Sequence, residues 1–149
     1  MSSSNNEFST NIRIMIKNKL IRKDILYPDL SYKIIGCAFD VYNSLGSGHH
    51  EKYYQRALCE AFSNKNLKFS QQINFPLRYC NKIIGRKYLD FLIEGKIVIE
   101  IKKSGRFSKT HIDQVMEYLR LSNLRLAILI NFGTYGVTFK RIVNFSKDS

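Results

Sequence analysis

Between Tyr88 and Lys102 the sequence reads Tyr-Leu-Asp-Phe-Leu-Ile-Glu-Gly-Lys-Ile-Val-Ile-Glu-Ile-Lys, and Asp90, Glu100 and Lys102 are the residues in it that could do chemistry together. Side chains alternate across a strand. In the second half of the stretch Ile97, Ile99 and Ile101 fall on one face, and Val98, Glu100 and Lys102 on the other. In the first half Leu89, Phe91 and Ile93 share one face, and Tyr88, Asp90 and Leu92 the other. If the aliphatic faces join one core, Asp90 and Glu100 lie together opposite it. A two-residue turn at Glu94-Gly95 would set Asp90 against Ile99, with faces in conflict. A three-residue connection, Glu94-Gly95-Lys96, sets Asp90 opposite Glu100, with Cβ atoms about 4.5–5.5 Å apart. Glu94 is also ill suited to the positive φ of a tight primed turn, so the odd-length connection is expected.

Two neighbouring carboxylates repel unless a cation lies between them. Hard oxygen ligands favour Mg²⁺ or Mn²⁺ over zinc. The Lys102 ammonium, on the same face, can orient or deprotonate a water or stabilise charge on a phosphate. The chemistry that fits is metal-assisted hydrolysis of a phosphodiester. An Asp…Glu-x-Lys string by itself reads more simply as a solvated sheet face with a surface ion pair. Its companions change that reading. Glu51 and Tyr54 are three apart, Gln114 and Tyr118 four apart, and His111 precedes Gln114 by about one turn, all at helical spacing.

The elements that must position these groups follow in order. Asp29-Leu30-Ser31 reads as a cap for a helix with Ile35, Ala38, Phe39, Tyr42 and Leu45 inward, stopped by Gly46-Ser47-Gly48. A second helix starts near His49 and buries Tyr54, Leu58, Ala61 and Phe62. Strands are expected at 67–76, 77–84, 86–93 and 96–102. A third helix, capped by Ser108 or Thr110, buries Ile112, Val115, Met116 and Leu119, and strands at 126–131 and 136–142 close the chain. This order predicts an α/β fold, one domain with a mixed β-sheet flanked by helices. Residues 1–28 form a polar, basic N-terminal segment and 29–149 the domain.

Several motifs resemble one family in its order. Gly48-His-His-Glu51-Lys-Tyr-Tyr54 is similar to the signature of the GxxExxY proteins, a branch of the PD-(D/E)xK nuclease superfamily. Tyr32-Lys-Ile-Ile-Gly36, Leu45-Gly-Ser-Gly48, Ile99-Glu-Ile-Lys102, His111-Ile-Asp-Gln114-Val-Met-Glu-Tyr118-Leu, Leu129-Ile-Asn-Phe132 and Lys140-Arg-Ile-Val-Asn144 resemble it too, so the likeness spans about 30–145. The resemblance implies a restriction-endonuclease-like core and a metal-dependent nuclease. It implies Asp90 and Glu100 as ligands of Mg²⁺ or Mn²⁺, with Glu51 as an added acid and the Ile101 backbone carbonyl beside them. It implies Lys102 as the catalytic lysine, and Gln114 and Tyr118 as the QxxxY pair of exonuclease-like branches. Where the family usually has a small residue after the lysine, this chain has Lys103. Lys103, Arg106 and Lys109, in the loop before a helix N-terminus, and His111 are expected to hold phosphates.

Composition sets the outer bounds. With 149 residues, 44% apolar and 13% aromatic, the chain suits one globular domain rather than a disordered one. No apolar run approaches the roughly 20 residues of a membrane span, so a membrane partner is not expected. Cys37, Cys59 and Cys80 are odd in number, far apart and form no CxxC pair, which fits a reducing cytoplasm. The net charge of +12 favours a polyanion. For the nuclease reading, DNA is expected ahead of RNA as the nucleic acid. A module that binds nucleic acid without turnover, or an accessory subunit of a nuclease assembly, is the competing reading. A homodimer or protein partner is compatible with the sequence.

Overall fold

In a computed structural model that describes residues 26–145, three helices and five strands form a single α/β unit. The expected N-terminal segment 1–28 lies almost wholly outside the described residues. Helix α1 (Pro28–Leu45) begins one residue ahead of the expected cap: Pro28 takes the first turn, where its missing N–H costs nothing, and Ser31 is buried within the helix. Its inward stripe is Ile34, Ile35, Cys37, Ala38 and Val41, while Leu45 is exposed. Gly46, at φ 73°, ends it. Helix α2 (Glu51–Asn64) buries Tyr54, Leu58 and Phe62.

Strands β1 (Phe69–Tyr79) and β2 (Lys82–Ile93) correct the expectation of three separate segments here. The turn falls at Cys80-Asn81, both residues at positive φ, as a two-residue primed hairpin requires. Pro76 and Gly85 do not break the strands; Pro76 is accommodated because β1 is a sheet edge. Strand β3 (Ile97–Lys103) pairs antiparallel with β2 in the register of Ile93↔Ile97 and Phe91↔Ile99, the register set by a three-residue connection. Glu94 nevertheless adopts the positive φ that its residue type disfavours. Glu94 sits at φ 53° and Gly95 at φ 66°. Glu94 is held there from both sides: its N–H donates to the Lys68 carbonyl at 2.8 Å, and its Oε1 accepts from Lys68 N–H at 2.9 Å.

Helix α3 (Lys109–Ser122) starts at Ser108, whose Oγ accepts from the His111 N–H at 3.1 Å. It crosses over to β4 (Leu126–Phe132), parallel to β3, and β5 (Val137–Val143) returns antiparallel. The sheet order is therefore β1-β2-β3-β4-β5, with one parallel pair.

Both sheet faces are covered. On one, Phe91, Ile93, Ile97, Ile99, Ile101, Ile128 and Ile130 pack under α1 and α2. On the other, Phe75, Leu89, Val98, Ala127 and Leu129 pack under Val115, Tyr118 and Leu119 of α3, Tyr118 filling the place expected for Met116, which is exposed. Leu89 thus parts from Phe91 and Ile93, contrary to simple alternation. The cause lies opposite: Gln72 takes φ 52°, and the β1–β2 ladder skips the Gln72/Asp90 position between Gln71↔Phe91 and Ile73↔Leu89. A left-handed residue rotates the strand about its axis, so the faces exchange at Asp90.

Candidate active site

The antiparallel β2–β3 ladder ends at Phe91↔Ile99. One step further the strands part, and the two carboxylates occupy the split. Asp90 N–H donates to Glu100 Oε1 at 2.6 Å, and Ile101 N–H donates to Asp90 Oδ2 at 2.8 Å. Each carboxylate therefore replaces a carbonyl of the missing ladder bond. The remaining oxygens are reached one from each helical layer. Gln55 Nε2, on α2, donates to Asp90 Oδ1 at 2.7 Å, and His111 Nε2, in the first turn of α3, lies 2.6 Å from Glu100 Oε2. All four oxygens have one partner, and each keeps a lone pair for a further ligand.

Glu100 is buried and Asp90 half-buried. Burial pushes both carboxyls up to about 7; the Glu100 charge adds to this at Asp90, and the Glu51 charge reaches both. Burial and the Lys102 charge hold His111 below its ordinary value, against the opposing pull of Asp90 and Glu51. At 2.6 Å, His111 Nε2 and Glu100 Oε2 are placed for one proton to be shared between them.

The other expected residues are placed unevenly. Glu51 opens α2 one turn before Gln55, yet among the described residues no three His, Cys, Asp or Glu side chains converge as a metal-ligand group. The oxygen set at the split is thus Asp90, Glu100 and adjacent backbone, which suits Mg²⁺ or Mn²⁺, ions that keep several waters and need only one or two carboxylates. Lys102 is half-buried, its Nζ donating to the Arg106 carbonyl and lying 5.9 Å from the Phe107 ring centre. Lys103 Nζ reaches the Gly48 carbonyl at 3.4 Å. The loop that follows is pinned by Ser104 N–H to Phe132 O at 3.0 Å and Asn131 Nδ2 to Gly105 O at 3.0 Å. Lys109 pairs with Asp113 at 3.2 Å on the open surface, a contact worth little there. Gln114 is half-buried. Tyr118 packs its ring on Phe75 at 5.4 Å and has its hydroxyl pushed up by burial; the four bonds to the carboxylates come from other residues.

Tyr54, which the spacing grouped with Glu51, is fully buried. It stacks on Phe132 at 4.4 Å and donates to the Gly46 carbonyl at 2.6 Å, so it fixes the turn ahead of α2 rather than touching the carboxylates. Gln55 was the residue that sequence reasoning missed. Its only signal is that it follows Glu51 by four, on the same helix face.

The family model of the PD-(D/E)XK nuclease superfamily matches residues 28–142. Among curated proteins nothing matches. The solved structure titled "Crystal structure of SSO0001" is similar at 16% identity with a TM-score of 0.48, over 93% of this chain and 77% of that one.

Proposed function

Because the chain belongs to the PD-(D/E)XK nuclease superfamily, we propose that it is a metal-dependent nuclease of the GxxExxY branch, hydrolysing phosphodiester bonds of nucleic acid, DNA ahead of RNA. The observation that carries this reading is the carboxylate pair in the split between β2 and β3, with all four oxygens bonded and both carboxyls raised to about 7. A pair so buried is poorly stable as two bare anions and well suited to a shared cation. Asp90, Glu100 and the Ile101 carbonyl would hold Mg²⁺ or Mn²⁺, with Glu51 reached through water. Such an ion supplies an activated water and neutralises charge on the phosphate.

This chain's own residues then have separate tasks. Gln55 and the Ile101 amide fix the orientation of Asp90. His111 accepts or returns a proton at Glu100 Oε2. Lys102 supplies positive charge to the phosphate once its ammonium leaves the Arg106 carbonyl. Lys103, Arg106 and Lys109 hold flanking phosphates.

A second reading, nucleic-acid binding without turnover, is favoured by one observation: Lys102 is engaged by the loop and not by the carboxylates. One assay separates the two. The purified protein is incubated with linear duplex, circular duplex and single-stranded DNA and with RNA, with and without Mg²⁺ and Mn²⁺, beside Asp90→Asn. Cleavage that requires metal and disappears in Asp90→Asn supports the enzyme; binding with no cleavage of any substrate supports the second reading.

A further inference from the structure

The β1–β2 hairpin continues well past the sheet. β3 pairs with β2 only from Phe91 onward, and from Leu77 to Ile84 every residue of the ribbon is exposed. The segment from 82 to 88 projects about 20 Å, the rise of about six base pairs. Its large apolar side chains are solvent-facing: Tyr79 is 69% exposed, Ile84 62% and Tyr88 58%, with Leu77 and Ile83 close behind. Its charge is of one sign. Residues 69–89 contain Arg78, Lys82, Arg86 and Lys87 and no acid at all.

An exposed apolar ribbon at a sheet edge invites either another protein chain or a polyanion. The edge is closed to strand addition: Pro76 offers no N–H, and Gln72 at φ 52° bends the backbone out of pairing. A second copy of the ribbon would bring eight positive charges together. The chemistry that complements four cations, aromatic and aliphatic tips and a two-stranded ribbon is a duplex groove. The major groove of B-form DNA admits such a ribbon, whereas that of A-form RNA is too narrow.

We propose that the β1–β2 hairpin is a DNA-gripping arm, which enters the major groove of a double helix beside the carboxylates and holds its phosphates with Arg78, Lys82, Arg86 and Lys87. The arm is rooted at Leu89, next to Asp90, so a duplex seated on it runs past the β2–β3 split. The choice of a nucleic acid as ligand rests on the function proposed above.

The test measures binding in EDTA, with no cleavage. Affinity for a 20-base-pair DNA duplex (about six base pairs of arm plus flanks) and for the same sequence as duplex RNA is followed across a salt series. The proteins are wild type, Asp90→Asn, and an arm variant with Arg78, Lys82, Arg86 and Lys87 all replaced by Gln. These side chains are exposed or half-buried, and matching thermal melts verify the fold. The arm variant should flatten the slope of log affinity against log salt for DNA by about 3.6, near 0.9 for each of the four lost phosphate contacts. Duplex RNA should bind more weakly, with a slope the variant leaves unchanged. Parallel DNA lines, equal losses on DNA and RNA, or a wild-type dimer that the arm variant converts to monomer would each overturn the arm. Cleavage that survives a failed arm leaves the nuclease standing, and an arm that binds DNA in a protein that never cleaves removes the nuclease alone.

Discussion

Asp90 has both oxygens committed, one to a helix side chain and one to a strand amide, so its direction is fixed before any ligand arrives. Gln55→Ala removes one of these constraints and leaves the carboxyl in place. We expect Mn²⁺ affinity by calorimetry, and cleavage in matched Mg²⁺, each to fall on the order of tenfold, as for other residues that orient a ligand. Lys102→Ala should lose rate with Mn²⁺ affinity unchanged; a parallel loss of metal would place Lys102 in the wrong role. At this scale the sequence was partly legible. The alternation of β3 and one loop length bring Asp90 beside Glu100, whereas the alternation read across β2 breaks at Asp90, where the faces exchange. These patterns could not reveal Gln55, whose relevance depends on how α2 crosses the sheet, nor the engagement of Lys102 by a backbone carbonyl that belongs to a loop.

Helices α1 and α2 are joined by a turn whose Gly46 carbonyl accepts from Tyr54. Tyr54→Phe keeps the stacking on Phe132 and deletes that bond, leaving a part-buried acceptor. It should cost about 1 kcal/mol, read as a lower urea midpoint at constant m-value. Tyr54→Ala loses the ring as well and should cost about 3–5 kcal/mol. Element types and order follow from periodicity for all three helices, and for β3, β4 and β5 within a residue or two. The β1–β2 region defied it for two local reasons: proline is tolerated at an edge, and Cys80-Asn81 makes a primed turn that its composition only weakly announces. The exchange of faces at Asp90 hangs on the φ of Gln72 across the ladder, a torsion no alternation pattern encodes.

Across the whole molecule, the sheet is closed over by α1 and α2 on one side and α3 on the other, and the carboxylate pair joins both layers at its middle. Folding without metal thus buries two acids whose values rise from 3.8 and 4.5 to about 7. The stability this contributes is full below about pH 4 and is lost as pH rises through about 7. In EDTA the melting temperature should therefore fall between pH 5 and pH 8, by roughly 5 °C or more. Asp90→Asn should flatten that fall. Saturating Mn²⁺ at pH 8 should restore the loss, by about 2.7 kcal/mol at a hundredfold excess over its dissociation constant. A melting temperature that climbs steadily from pH 5 to pH 8 without metal would mean that the pair is not buried as described.

The bonds from the Asp90 and Ile101 amides to carboxylate oxygens have a consequence for hydrogen exchange. Where β2 and β3 pair, an amide is shielded by a carbonyl of a neighbouring strand, and its protection measures how often the sheet opens. These two amides are shielded by side chains that titrate. Corrected for the intrinsic pH dependence of amide exchange, their protection should change with pH and with divalent cation, while that of Phe91 and Ile99, beside them on the same strands, stays constant. Two backbone positions would then serve as label-free reporters of the state of the carboxylates, legible without any substrate.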